Sequence, residues 1–128
     1  MTVRGVRGAT VVSQDQPEAI LSATRELLQA MMDANPTMRT SDLASALFTV
    51  TDDLSTVYPA RAAREMGWEL VPLMCAREIP ILEGLPRCVR VLLLWNTEIP
   101  QSAIHHVYLR AAVVLRPDLN VVDSLSST

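Results

Sequence analysis

Arg90 lies within the most apolar stretch of the sequence, RCVRVLLLW (87–95). Val89 and Val91 flank it, and three leucines follow Val91. A charged side chain is costly to bury unless it is paired and hydrogen-bonded. An unmatched guanidinium in such a setting indicates an anionic partner, because its planar fork forms bidentate, charge-assisted hydrogen bonds with carboxylates.

Arg7 and Arg116 also lie within or directly after β-branched segments. Glu78 is a candidate counter-charge, but one carboxylate does not satisfy several arginines. The residues alone therefore predict a site for a small dianion or dicarboxylate, in which Glu78 and Tyr108 supply polar specificity. Six other arginines are interpreted as solvated or ion-paired surface residues; they are Arg4, Arg25, Arg39, Arg77, Arg87 and Arg110.

The sequence lacks the patterns typical of nucleophilic, metal-assisted or phosphate-binding catalysis. It has no G-x-S-x-G elbow, and RGVRG (4–8) lacks the third glycine and the following helix of a phosphate loop. The spacing of Cys75 and Cys88 relative to His105 and His106 matches neither a zinc site nor a Cys–His pair. Neighbouring residues of a strand point to opposite faces, so we expect one exposed and one partly buried histidine.

The composition indicates a single compact domain that associates with copies of itself. The chain has 128 residues, of which 49% are hydrophobic and 20% charged. Either the core is large or part of the surface is buried against other subunits, and we favour a homo-oligomer. The net charge of −3 argues against a nucleic-acid partner. All eleven cationic side chains are arginines, which excludes lysine Schiff-base and P-loop lysine chemistry.

The sequence predicts a cytoplasmic protein without a membrane partner. Its two cysteines and the N-terminal segment MTVRGVRG, which has no apolar signal-peptide region, indicate reduced thiols in the cytoplasm. The longest apolar runs are too short to span a bilayer.

Hydrophobic periodicity and breaker residues predict an α/β or α+β fold, with helices covering one face of a mixed sheet. The predicted strands are 3–12, 47–51, 69–75, 87–96 and 105–110, and the predicted helices are 14–36, 40–47 and 59–67. Pro17 suits a first helical position, and Gly67 a C-terminal stop. We expect one domain over 1–119 and a flexible tail over 120–128, since the last residues are polar.

Five stretches together resemble a known family. They are RGVRGAT (4–10), VYPARAARE (57–65), VPLMCAREIP (71–80), RCVRVLLLWNT (87–97) and HHVYLRAAVVLRPDL (105–119). In this combination the chain resembles the monofunctional chorismate mutases of the trimeric α/β type, the AroH class, as distinct from the all-helical class. The resemblance implies an isomerase that converts chorismate to prephenate, a step from the shikimate pathway to phenylalanine and tyrosine. This pericyclic Claisen rearrangement needs no nucleophile, metal or cofactor.

The resemblance also implies a homotrimer with a pseudo-α/β-barrel core, in which three sheets surround a central axis and the active sites lie between subunits. It implies that Arg90 donates to the ether oxygen of the substrate, while Arg7 and Tyr108 bind its carboxylates. Glu78 accepts from the ring hydroxyl, beside Cys75. The residues given catalytic roles are thus Arg90, Glu78 and Arg7.

Other positions match parts of the family site that surround the substrate. The wall of the site is expected to be lined by Leu73 and Met74. The site is expected to be closed across the subunit boundary by Tyr58, Ala60, Arg61 and Arg64. The pocket is expected to be covered by Leu115 and Arg116. The family often has phenylalanine at the position of Tyr58 and lysine at that of Arg61, so the sequence departs slightly at the entrance.

Two alternatives remain open at this stage. One is a non-catalytic, trimeric protein that binds small carboxylates, and the other is an enamine or imine deaminase of similar fold. Arg90 combined with Glu78 argues against the first, because a simple dicarboxylate binder has no need to aim a cation at an ether oxygen. The characteristic deaminase motifs are not evident in the sequence.

Overall fold

The computed structural model describes residues 2–115 and contains a mixed five-stranded sheet with two helices. The elements are β1 (Val3–Val11), α1 (Pro17–Ala34), β2 (Leu43–Val50), α2 (Ala60–Glu65), β3 (Leu73–Arg77), β4 (Cys88–Asn96) and β5 (Val107–Tyr108). The strand order is β3-β2-β4-β1-β5. The central strand β4 is antiparallel to both β1 and β2, whereas β3 and β5 run parallel to their neighbours. The predicted fold class, an α/β protein with a mixed sheet, is confirmed.

Both helices pack on the same face of the sheet. Leu28 and Met31 of α1 and Ala63 of α2 belong to one buried cluster with Phe48 of β2 and Leu93 of β4. Alternation places every second residue of each strand on this face, so each strand contributes its apolar set to one core. Burial of that core holds the sheet against the helices.

Gly8 of β1 lets α1 approach the sheet closely. A Cβ at this position would overlap the sulfur of Met31 and would come within 3.2 Å of Leu27 Cδ1. The glycine is therefore required by the packing of the helix, rather than by an unusual backbone conformation.

The opposite face, here called the open face, is defined by Arg7, Leu47, Thr49, Arg90 and Leu92. These residues are cross-strand partners on β1, β2 and β4, and each lies next to residues that point into the core. Leu92 is 37% exposed although it lies on the central strand.

The predicted helix over 40–47 is wrong. Only Thr40–Asp42 forms a single 3-10 turn, and β2 already begins at Leu43. Alanine and leucine have high helix propensity, but pairing of this segment with both β3 and β4 overrides that local preference.

Two other strands differ in length from the prediction. The strand predicted over 105–110 is reduced to Val107–Tyr108, because Arg110 adopts a positive φ of 54° and starts the 3-10 segment Arg110–Leu115. The strand predicted over 69–75 is shifted to Leu73–Arg77. Arg116 and the tail predicted over 120–128 lie outside the described residues. Over the part of the chain that the structure describes, neither helix has the length and hydropathy to cross a membrane.

Candidate active site

One row of residues runs across the open face and brings together side chains that are distant in sequence. Arg90 lies opposite Thr49 of β2 on one side and opposite Ala9 of β1 on the other. Tyr108 of β5 lies beside Ala9. Ala9 itself is fully buried in a small cluster with Tyr108 and Ala112. Glu78 directly follows β3, where its backbone N–H donates to the carbonyl of Val50 at 2.8 Å.

Apart from Ala9, the residues of this row line a cavity of about 420 Å³. Its lining combines polar side chains with an apolar wall; the residues are Arg7, Gly8, Leu47, Thr49, Glu78, Arg90, Val91, Leu92 and Tyr108. Apolar walls with a few convergent polar groups are typical of small-molecule sites. All three residues predicted to be catalytic, together with Tyr108, line this one cavity.

Arg90 and Glu78 form an ion pair that leaves one donor unused. Arg90 Nε lies 3.7 Å from Glu78 Oε1, which is too far for a good hydrogen bond. Among residues 2–115, the buried Nε atom has no hydrogen-bond partner. A buried donor without an acceptor is destabilising, which is typical of a group that awaits a ligand.

The expectation that Arg90 is enclosed is only partly correct. Its Nε is buried, but the side chain as a whole is 41% exposed, compared with 21% for Glu78. The apolar neighbours that suggested burial, Val89 and Val91, point to the opposite face of the sheet and into the core. The end of the guanidinium therefore faces the cavity.

Thr49 orients Glu78 and was not identified from the sequence. Its hydroxyl donates a hydrogen bond to Glu78 Oε2, so the carboxylate is fixed between the threonine and Arg90. No sequence pattern links residues 49 and 78. Only the pairing of β2 with β3 and β4 places them together.

His106 is a second residue that the sequence did not assign to the site. Its Nδ1 accepts a hydrogen bond from the backbone N–H of Arg7 at 3.0 Å. His106 is 9% exposed, whereas His105 is exposed; the prediction was one exposed and one partly buried histidine, and the buried one is more enclosed than expected. Leu115, expected to cover the pocket, packs with Ala9 and Tyr108.

Three residues expected from the neighbouring subunit line a different cavity in this chain. Tyr58, Arg61 and Arg64 lie around a space of about 570 Å³ between α2 and β3, which shares no lining residue with the Arg90 cavity. Cys75, which was expected beside Glu78, lines this second space and not the cavity that Glu78 lines. Tyr58 is 72% exposed. We call the Arg90 cavity the anion pocket and this second space the entrance cleft.

The remaining predicted residues are distributed between the core and the open face. Ala60 is buried in the core, and Leu73 packs against the same cluster of buried residues. Met74 is exposed on the open face opposite Leu47. A single chain thus does not bring Leu73, Met74 or Ala60 into the anion pocket.

Neither cysteine has the properties of a nucleophile. Burial raises the pKa of the Cys88 thiol, and the nearby charge of Arg90 opposes this effect. Burial also raises the pKa of the Cys75 thiol, against a backbone hydrogen bond at Ala60 and the charge of Arg64. Both thiols are free and stay protonated at neutral pH.

Comparison with known proteins shows to which family this chain belongs. The family model for chorismate mutase type I matches residues 3–119. The chain belongs to this family. It is 56% identical over 117 residues to chorismate mutase AroH of Thermus thermophilus, covering 91% of this chain and 96% of the relative. It is 44% identical over 122 residues to chorismate mutase AroH of Bacillus subtilis strain 168, covering 94% and 95% of the two chains.

Solved structures agree with this assignment. A chorismate mutase from Clostridium thermocellum superposes with a TM-score of 0.83 at 42% sequence identity, covering 86% of this chain and 97% of the other. The resemblance to the AroH class is therefore confirmed. The protein is a chorismate mutase, and hence an isomerase.

Proposed function

We propose that this enzyme converts chorismate to prephenate by holding the dianionic substrate in the anion pocket and stabilising the charge that develops as its ether bond breaks. The unsatisfied Nε of Arg90, 3.7 Å from the nearest carboxylate oxygen, is the observation that carries the proposal. Arg7 and Tyr108 line the same cavity, so cationic and hydroxyl donors converge on one bound molecule.

The electrostatic contribution follows from the reaction itself. In the Claisen rearrangement the C–O bond breaks ahead of C–C bond formation, so negative charge grows on the ether oxygen in the transition state. A fixed cation at that oxygen stabilises the transition state more than the substrate. The apolar side chains of Leu47 and Leu92 beside Arg90 lower the local dielectric and strengthen this interaction. One well-placed donor contributes about 3–4 kcal/mol.

Glu78 has two roles in this mechanism. It accepts a hydrogen bond from the substrate's ring hydroxyl, and its charge holds Arg90 in place before the substrate binds. Thr49 fixes one carboxylate oxygen, so the pair is oriented in advance and little reorganisation is needed during the reaction.

Conformer selection supplies the rest of the barrier reduction. Arg7 and Tyr108 bind the two carboxylates and select the compact conformer in which the reacting carbons approach each other. Proximity effects of this kind contribute up to about 7–11 kcal/mol. The reaction therefore needs neither a proton-transfer group nor a covalent intermediate.

The proposed active unit is a homotrimer whose sheets form a pseudo-α/β-barrel core, with each active site between two subunits. Leu92 and Met74 are exposed on the open face, and burying them against a second copy removes apolar surface from water. In this arrangement the entrance cleft of one subunit, with Tyr58, Arg61 and Arg64, closes the anion pocket of the next. The free cysteines favour a reducing compartment, and we propose the cytoplasm.

The test is a direct assay of the purified protein. Chorismate absorbance is followed while prephenate is quantified, and the oligomeric state is measured by sedimentation in the same buffer. We expect turnover by a trimer, and a loss of turnover in Arg90→Ala at unchanged sedimentation. A folded trimer that leaves chorismate unchanged would overturn the proposal.

A further inference from the structure

The outer edge of β1, on the side away from β4, is paired with a strand over only part of its length. β5 pairs with β1 at Gly8 and Ala9, and the N–H of Leu109 donates to the carbonyl of Ala9 at 2.9 Å. An unpaired strand edge leaves backbone donors and acceptors without partners and lets the strand shift. In this protein side chains take the place of the missing strand.

Two side chains complete the edge. Gln101 accepts from the N–H of Gly5 at 3.0 Å and donates to the carbonyl of the same residue at 2.7 Å. His106 Nδ1 accepts from the N–H of Arg7 at 3.0 Å. Gln101 thus anchors a residue outside the anion pocket, whereas His106 anchors the backbone of a residue that lines it.

Because His106 lies two residues before Tyr108, its hydrogen bond to Arg7 also affects how Arg7 and Tyr108 are placed relative to each other. Tyr108 follows it by two residues and pairs beside Ala9, while Arg7 precedes Ala9 by two residues on β1. The segment from His106 to Tyr108 therefore contacts β1 at both places and sets the separation between Arg7 and Tyr108. These are the two residues assigned above to the substrate carboxylates.

We propose that His106 is a positioning residue for Arg7: its Nδ1 lone pair fixes the Arg7 backbone and thereby aims the guanidinium at a substrate carboxylate. The inference rests on the proposed function. His106 is 9% exposed, so water has little access to its contact with Arg7. Because Nδ1 accepts, the ring acts in a form that carries no proton on that nitrogen.

Replacing His106 tests the acceptor separately from the size of the side chain. In His106→Asn the carboxamide oxygen lies near the former Nδ1 position and accepts the same N–H, whereas in His106→Gln the oxygen lies one carbon farther away. Arg7 binds a carboxylate in both the substrate and the transition state and also selects the reactive conformer, so its misplacement raises KM and also lowers kcat. We expect KM for chorismate to rise about tenfold in His106→Gln and His106→Leu, and to stay within about twofold in His106→Asn.

Gln101→Leu is the matched control. It removes two hydrogen bonds from the same strand edge, but at Gly5, and we expect it to leave KM for chorismate unchanged. Hydrogen exchange of the Arg7 amide supplies a readout independent of turnover. The amide should exchange faster in His106→Gln than in the wild type, and at the wild-type rate in His106→Asn and Gln101→Leu.

The possible results separate this inference from the proposed function. A wild-type enzyme that does not turn over chorismate contradicts the function. Normal wild-type turnover with an unchanged KM in His106→Gln and His106→Leu overturns the role of His106 alone. An equal rise of KM in Gln101→Leu also overturns it, because the effect would then reflect general loosening of the strand edge.

Discussion

Arg90 on β4 lies directly opposite Thr49 on β2, and the hydroxyl of Thr49 donates to Glu78, the carboxylate that faces Arg90. The three residues come from three parts of the chain and form one connected group. Because Thr49 occupies one oxygen of Glu78 and Arg90 Nε lies 3.7 Å from the other, the ion pair orients the arginine and leaves a donor for a ligand.

Removing the guanidinium should abolish most of the catalysis. In Arg90→Ala we expect kcat to fall by about 10²–10³, the loss typical when one donor to a developing negative charge is deleted. Arg90→Lys should recover only part of kcat, because an ammonium does not reproduce the planar fork. Steady-state kinetics with chorismate check both variants. An Arg90→Ala enzyme with nearly normal kcat contradicts the electrostatic mechanism.

The hydroxyl of Thr49 should affect catalysis through Glu78. Thr49→Val keeps the shape of the side chain and removes the donor, and we expect kcat/KM to fall about tenfold. Thr49→Ser retains the hydroxyl and should stay within about threefold of the wild type. The measurement is kcat/KM for chorismate at one pH, and equal losses in both variants would show that the methyl group, rather than the hydrogen bond, is important.

Part of the site could be identified from the sequence, because an arginine within an apolar strand is unusual. Arg7 and Arg90 were identified from this pattern, in the strands predicted over 3–12 and 87–96, and the structure places both on the open face. Thr49 and His106 could not be found in this way. Their contacts depend on which strands are neighbours and in which register, and one sequence does not contain that information.

The error over 40–47 shortened the predicted strand that carries Thr49 to 47–51. The observed β2 begins at Leu43 and pairs with β4 along its length, which places Thr49 opposite Arg90. The exposure of Arg90 was misjudged for a related reason, because its sequence neighbours belong to the core face while the arginine belongs to the other. The residues whose structure or exposure was wrongly predicted from their sequence neighbours thus lie where several strands pair.

A side chain at Gly8 should destabilise the fold, whereas a side chain at Gly5, on the same strand, should be tolerated. A Cβ at Gly8 overlaps the sulfur of Met31, so the methionine must move, and we expect Gly8→Ala to cost about 1–2 kcal/mol. At Gly5 the nearest side-chain atom is Leu92 Cδ1 at 3.5 Å, an ordinary contact. Urea unfolding at one protein concentration checks the pair. Equal stability of the two variants would mean that the approach of α1 does not require a glycine.

Asp15 should make stability depend on pH in the acid range. The backbone N–H of Ser55 donates to its carboxylate, which with hydrogen bonds from Thr56 holds the pKa of Asp15 below its ordinary value of 3.8. A carboxyl with a lowered pKa in the folded state contributes stability above its unfolded pKa and loses that contribution as pH falls through the folded value.

The lowered pKa of Asp15 predicts how the stability of an Asp15 variant depends on pH. Asp15→Asn should be less stable than the wild type at pH 7, and the difference should shrink as the pH falls below about 3.8. The exposed Glu69→Gln is the control and should follow the wild type at every pH. Thermal unfolding over a pH series measures all three proteins. A difference for Asp15→Asn that is independent of pH contradicts the assignment.

Mixed oligomers should show whether two chains form each active site. Arg90 lines the anion pocket and Arg64 lines the entrance cleft, and the two spaces share no lining residue within one chain. If the cleft of one subunit closes the pocket of its neighbour, Arg90→Ala and Arg64→Ala damage opposite sides of the same site. After random exchange of equal amounts of the two inactive proteins, about a quarter of the sites should have both sides intact.

Recovery of activity on mixing is therefore the expected result, and the choice of partner supplies the control. Arg7 and Arg90 line the same pocket, so a mixture of Arg7→Ala with Arg90→Ala has one damaged pocket at every site and should recover nothing. Activity is measured after co-refolding each pair, with sedimentation to confirm that the oligomer reforms. Recovery in neither mixture would contradict a site built from two chains, because a composite site requires that intact halves from different chains complement each other.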